Sequence, residues 1–308
     1  MLVAVLSVKG SPGVTTVAVA VAARWPQPAR TVVVEADPSG GDLAVRFSLA
    51  STPGLLSLAA AARRSTDPAT VWQHTQALPG GLPVVTAPPD ADRARAALAE
   101  LDPGPDAVGV LRRAADTPGA VVIADCGRID AGSPAMPIVR AADVMVLLTG
   151  SHADDLAHLA RRLPAMGGWT PRPVLLLVGD GYSTTEVARE LGVPPLGRIP
   201  HDPAGAAVLC GRPSRVRWNR GGPSQSVLGQ VAHKIATVLA TPPPPRTAGG
   251  PLPEAGVGVA VLRAVPGVPD GPIAPGGLRH APLPWPPPMT PSAHESTNGE
   301  STRGGAAS

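Results

Sequence analysis

Lysine is nearly missing from this 308-residue chain: Lys9 and Lys234 are the only two among 26 basic residues, so the positive charge is almost entirely arginine. The net charge of +3 is small for the length and gives no strong generic pull toward nucleic acid or membrane. Cys126 and Cys210 are the only cysteines, which excludes a disulfide framework and, at that spacing, a metal cluster; a reducing cytoplasm is the expected setting. Aromatic residues make up 2% of the chain, so a core must be built from Val, Leu, Ile and Ala, with little left for stacking on bases. No run of eighteen apolar residues occurs, and the apolar start MLVAVLSV lacks a basic leader and breaks at glycine and proline, so neither a membrane span nor a secretory signal is expected.

Proline is abundant but unevenly placed. Sixteen of the forty prolines follow Thr241, in stretches such as TPPPPRTAGG and PLPWPPPMTP that contain no apolar run able to form a core. The expectation is a folded domain over residues 1–241 and a disordered Pro/Gly-rich tail over 242–308. Trp285, within PLPWPPP, offers a polyproline docking segment or only a solvated linker.

Within the first 241 residues, unbroken apolar runs recur at Leu2–Val8, Thr31–Glu35, Leu82–Thr86, Ala120–Ala124, Val144–Thr149 and Val174–Val178. Runs without alternation predict strands buried on both faces. Between them, Thr15–Arg24, Asp90–Leu101, Asp106–Ala115, Asp154–Leu163 and Thr184–Leu191 carry apolar residues at helical spacing, and Ser224–Ala240 supplies a last amphipathic helix. Strand and helix in alternation predict an α/β fold with a doubly wound, mostly parallel sheet flanked by helices.

The first strand runs into Val8-Lys9-Gly10-Ser11-Pro12-Gly13-Val14-Thr15-Thr16 and then a helix, the strand-loop-helix setting of a phosphate-binding loop. Gly10 and Gly13 permit close backbone approach to an anion, and the helix N-terminus adds its dipole. Thr15 is placed as a Mg²⁺ ligand and Thr16 for an α-phosphate. The segment KGSPGVTT resembles the deviant Walker A loop of MinD/ParA-type P-loop ATPases, KGGxGK[ST]T. It matches at Lys9, Gly10, Gly13, Thr15 and Thr16 and departs at Ser11 and Val14.

Further segments follow the same family in order. VVVEADPSGGDLA is similar to its second strand and first switch, which implies that Asp37 assists magnesium or water and that Asp42 lies in the catalytic segment. VVIADCG is similar to the Walker B strand and second switch, which implies that Asp125 binds Mg²⁺ through water. GVPPLGRIPHDPAGAAVLCGRP resembles the late segment in which a strand ending in Ile-Pro leads into an Asp and a short helix beside the adenine, which implies that Pro200 and Asp202 contact the nucleotide. Gly179-Asp180 replaces the Asn often used for the base, and the amphipathic membrane-targeting helix that ends MinD proteins is not seen.

The resemblance implies an ATP-binding, Mg²⁺-dependent protein that dimerises around nucleotide, with a protein partner that stimulates or reads it. It also implies a role in positioning a chromosome, plasmid, septum, or polar secretion or pilus machine. In such loops the lysine at the position of Val14 grips phosphates of its own subunit, and the one at the position of Lys9 reaches the partner's. Lys9 reads either as a solvated lysine beside a turn or as that phosphate contact, and the scarcity of lysine weighs toward the second. Asp37 and Asp125 read either as strand-end turn caps or as the paired carboxylates that Mg²⁺ takes. The candidate nucleotide set is Lys9, Gly10, Ser11, Gly13, Val14, Thr15, Thr16, Pro200 and Asp202; the metal set is Thr15, Asp37 and Asp125; the catalytic set is Lys9, Asp37 and Asp42. Arg212, Arg215, Arg217 and Arg220 around Trp218 form either a DNA-phosphate patch or a solvated loop. Val14 opens the alternative of a non-hydrolysing pseudo-ATPase scaffold.

Overall fold

The structure is a computed structural model that describes residues 1–102, 104, 109–212 and 222–241. The expected tail, with Trp285, and the arginines at 215, 217 and 220 lie outside the described residues.

In chain order the elements are β1 (Leu2–Ser7), α1 (Val14–Ala23), β2 (Arg30–Glu35), α2 (Leu43–Arg46), α3 (Leu55–Ala62), α4 (Thr70–Gln73), β3 (Gln76–Ala77) and β4 (Pro83–Val85). They continue with α5 (Ala91–Leu101), α6 (Val110–Asp116), β5 (Ala120–Arg128), α7 (Met136–Ala141), β6 (Val144–Ser151) and α8 (Ala153–Met166). The last are β7 (Pro173–Gly181), α9 (Thr184–Leu191), β8 (Gly197–Ile199), α10 (Pro203–Leu209) and α11 (Val227–Ala240).

The eight strands of the described residues form one sheet in the order β3-β4-β2-β5-β1-β6-β7-β8, parallel except for the short edge strand β3 against β4. The six apolar runs therefore became the six central and near-central strands, because an unbroken run of Val, Leu and Ile suits burial on both faces. Side chains alternate across that sheet. Leu2, Ala4 and Leu6 of β1 join one apolar layer with Leu55 and Leu58 of α3, Leu98 of α5, Leu111 of α6 and Leu159 of α8. Val3 and Val5 join the other with α1 and with Leu228, Ile235 and Leu239 of α11.

Helix starts follow local chemistry. Asp90 accepts from the Arg93 amide at 2.8 Å, Ser226 accepts from the Gly229 amide at 2.9 Å, and Ser183 with Glu186 closes a reciprocal capping box at the start of α9. The last helix begins three residues later than its expected Ser224 start, because residues 222–225 form a 3-10 turn and Ser226 is the cap. Among the described residues no helix is long and apolar enough to cross a membrane.

Candidate functional site

The C-terminal edge of a parallel sheet gathers the ends of strands that are distant in sequence, and here β1 lies between β5 and β6 at its centre. The loop 8–13 leaves β1 there. Gly13 adopts φ 87°, ψ 38° at the N-cap of α1, a left-handed conformation that a side chain would strain, and no side chain caps the helix. The first-turn amides of α1 are thus left for an anion or solvent. Gly10 and Ser11 are exposed beside them.

Thr15 and Asp125 meet below this loop. The Thr15 hydroxyl donates to the Asp125 carboxylate, which also accepts from the Gly127 amide at 3.2 Å. Asp125 is 1% exposed, and burial, opposed by the Thr15 bond but reinforced by the charges of Glu35 and Asp37, pushes its pKa up to about 7. A site that concentrates carboxylates and destabilises their charge is one in which a cation is favoured. Hard oxygen donors of this kind suit Mg²⁺, and Thr15 and Asp125 are residues that could hold it. Next to them the Ser7 hydroxyl is fully buried without a partner among the described residues, a polar atom that bound water could satisfy.

Asp37 joins from the segment after β2. Its carboxylate accepts from the Ser39 amide at 2.7 Å and overlies Gly127, where an added Cβ would collide with the carboxylate. Burial raises the Asp37 pKa, and the Ser39 contacts and the Arg128 charge offset part of that rise.

Glu35 belongs to the same cluster and was not singled out in the sequence. It is 1% exposed and in register with Asp125 across β2 and β5. Its carboxylate accepts from the amides of Asp42 (2.8 Å), Leu43 (2.9 Å) and Ala87 (2.9 Å), fixing the turn after β2 to the end of β4. Its burial raises its pKa against those three bonds. The signal was an acidic residue closing an apolar run, which is where a buried strand-end carboxylate sits.

Other expected site residues are engaged elsewhere. The Lys9 ammonium lies 2.9 Å from Asp154 and 3.9 Å from Asp155 at the start of α8. Asp42 is exposed and paired with Arg46 at 2.5 Å, an i,i+4 contact on α2. Val14 is buried in the apolar layer formed by α1 and α11. Thr16 lies 3.8 Å from the Cys210 sulfur, which places the first turn of α1 against the end of α10. Asp202 uses both carboxylate oxygens, on the amides of Gly205 (2.9 Å) and Leu228 (3.0 Å), and so clamps the starts of α10 and α11 together. Burial opposes its charge, but those amide bonds prevail and its pKa is lowered. Pro200 is half-buried just after β8, and Arg212 is exposed just after α10. A separate cavity of about 630 Å³, lined by Met1, Trp25, Arg112 and Asp143 among others, opens where β1 and β5 begin, at the opposite edge of the sheet.

A glycine loop on β1, a helix with free first-turn amides and carboxylates from β2 and β5 form an arrangement that could take an anion and a cation together. No protein-family model and no curated protein matches the chain. Solved structures do. The chain is similar to a ParA family ATPase from Chlorobium tepidum TLS, at 15% identity over 77% of this chain and 98% of that one, with a TM-score of 0.60. It is similar to the septum site-determining protein MinD from Pyrococcus horikoshii OT3, solved with Mg-ADP, at 16% identity over 78% and 96% of the chains and a TM-score of 0.54. A Cyanothece McdA variant solved with ATP matches at 15% identity over 79% and 98%, with a TM-score of 0.53. The chain has the ParA/MinD P-loop fold.

Proposed function

We propose that this chain is a ParA/MinD-type nucleotide switch that binds Mg-ATP at the loop 8–16 and pairs with a second copy of itself in that state. The observation that carries the reading is the Thr15 hydroxyl donating to the buried Asp125 carboxylate beneath a glycine loop, with Glu35 and Asp37 beside it. The Mg-ADP and ATP bound to the MinD and McdA structures of the same fold support the choice of ligand.

In this reading Thr15 and Asp125 hold Mg²⁺, which supplies charge neutralisation of the phosphates. The loop amides bind the phosphate oxygens, and Asp37 orients the attacking water. Lys9 exchanges Asp154 for phosphates of the second copy, so that dimerisation and nucleotide state are coupled through one ammonium. Hydrolysis is slow or depends on a partner protein, because Val14 offers no charge to the transition state. The process served is the positioning of a large cargo: a chromosome, plasmid, septum site, or polar secretion or pilus machine. Non-specific DNA is a further partner, through Arg212 and the arginines at 215, 217 and 220.

A second reading, a non-hydrolysing scaffold with the same dimer surface, is favoured by the burial of Val14 in the apolar layer, where it serves packing instead of catalysis. Titration with ATP and a turnover assay on the full chain, on Val14→Lys and on Lys9→Ala separate the two. Wild-type binding with turnover supports the switch. Binding without turnover, with turnover gained by Val14→Lys, supports the scaffold, and absence of any nucleotide binding by the wild type removes the first reading.

A further inference from the structure

A polyphosphate adds several negative charges to an edge that already carries Glu35, Asp37 and Asp125, and one Mg²⁺ does not balance them. The two loop positions that carry lysine in the deviant Walker A pattern contribute little here. Val14 is an apolar residue buried in the layer of α1 and α11, and Lys9 is held by Asp154 and Asp155. Four other arginines around this edge also hold partners. Arg46 is on Asp42, Arg95 donates to the Pro38 carbonyl at 3.1 Å, and Arg162 donates to the Val8 carbonyl at 3.3 Å. Arg198 donates to the Ser151 hydroxyl at 2.8 Å and to the carbonyls of Gly179 and Tyr182.

Arg128 differs from all of these. It is the last residue of β5 and is exposed, and its guanidinium makes no ion pair or hydrogen bond among the described residues. Its backbone is the register partner of Ser7, one residue before the loop begins, and the next amide, Ile129, donates to the Ser7 carbonyl at 3.0 Å. Gly127, just before it, has φ 58° and lies under the Asp37 carboxylate, and Asp37 feels the Arg128 charge. A long cationic side chain therefore starts between the loop and the carboxylates with nothing else to bind.

We propose that Arg128 supplies to the terminal phosphate of a nucleoside triphosphate at the loop the cationic contact that Val14 cannot make. The inference rests on the nucleotide reading of the loop. Guanidinium chemistry suits the task, since its planar fork binds phosphate through two parallel hydrogen bonds and stays charged at any working pH. The position also has a consequence. Arg128 opens the connection from β5 to α7, so the contact ties that connection to the presence of a terminal phosphate, where a lysine at position 14 would tie only the start of α1.

The test is a titration of the full chain with fluorescent ATP and ADP analogues in Mg²⁺, for wild type, Arg128→Ala, Arg128→Lys and the double variant Arg128→Ala/Val14→Lys, with melting temperatures measured alongside. The expected result is a loss of about tenfold or more in ATP affinity for Arg128→Ala, with ADP affinity nearly unchanged and the melting temperature unmoved. Arg128→Lys keeps part of the affinity, and the double variant regains part of it through the new lysine. Arg128→Ala binding ATP as tightly as wild type overturns the inference. So does an equal loss for ATP and ADP accompanied by a lower melting temperature, which marks a structural role. A wild type that binds neither analogue overturns the nucleotide reading itself, and the inference with it.

Discussion

Glu35 and Asp125 face each other as register partners at the ends of two adjacent parallel strands, both almost completely buried and both with carboxyl pKa values raised by that burial. Two acids this close are tolerated because they are differently employed. Glu35 spends its oxygens on three backbone amides, whereas Asp125 faces Thr15.

The role of Glu35 leads to the first prediction. Glu35→Gln replaces one acceptor oxygen with an NH₂ group and leaves a buried amide unmet, so unfolding free energy should fall by about 1–3 kcal/mol in urea melts. Glu35→Leu should lose more. A Gln variant as stable as wild type would mean the three amide bonds carry no net weight.

Asp125 gives a pH dependence with a defined sign. Its folded pKa, about 7, lies above that of an unfolded aspartate, so the folded protein binds the extra proton. Nucleotide-free protein should therefore be most stable below about pH 4 as far as this group is concerned, lose stability as pH rises from there toward about 7, and level off above. Glu35 and Asp37 are shifted the same way and add to the slope. Asp125→Asn should flatten the curve in melts across pH. Mg²⁺ binding should release a proton near neutrality, which calorimetry in buffers of different ionisation enthalpy would register.

Gly127 tests the contact with Asp37. Gly127→Ala should destabilise by about 1–3 kcal/mol for the left-handed backbone and further for the collision with the Asp37 carboxylate. Gly119→Ala is the comparison, because Gly119 has φ 75° but open space around its Cα. Equal losses for the two variants would show that Asp37 moves aside freely.

Lys9→Ala should leave the melting temperature almost unmoved, since its partner Asp154 is solvent-exposed and such pairs contribute little. Nucleotide-dependent self-association, followed by light scattering or sedimentation, should be lost. If self-association survives in Lys9→Ala, the ammonium has no role across the dimer.

Much of the sheet was legible because fully buried parallel strands leave unbroken apolar runs, as at Leu2–Ser7 and Val144–Ser151. The edges were not. β3 is two residues long, too short to leave a pattern, and α3 reads LLSLAAAA, in which alanine hides the periodicity. At the site, Thr15 and Asp125 could be paired from their places on β1–α1 and β5. The partners of Lys9 could not, because Asp154 is 145 residues away and only the adjacency of β1 and β6 brings it near. Asp42 carried its own clue, an arginine four residues on, which the fold made its partner.

The helix that follows the loop has almost no face toward water: Val14 and every residue from Val17 to Ala22 are buried, against β5 on one side and α11 on another. Side chains of that kind cannot swing aside into solvent to absorb a displacement at the first turn. Any push that a ligand exerts on Thr15 must then travel as the motion of a rigid rod, felt at once by the strand that carries Asp125 and by the last helix of the domain.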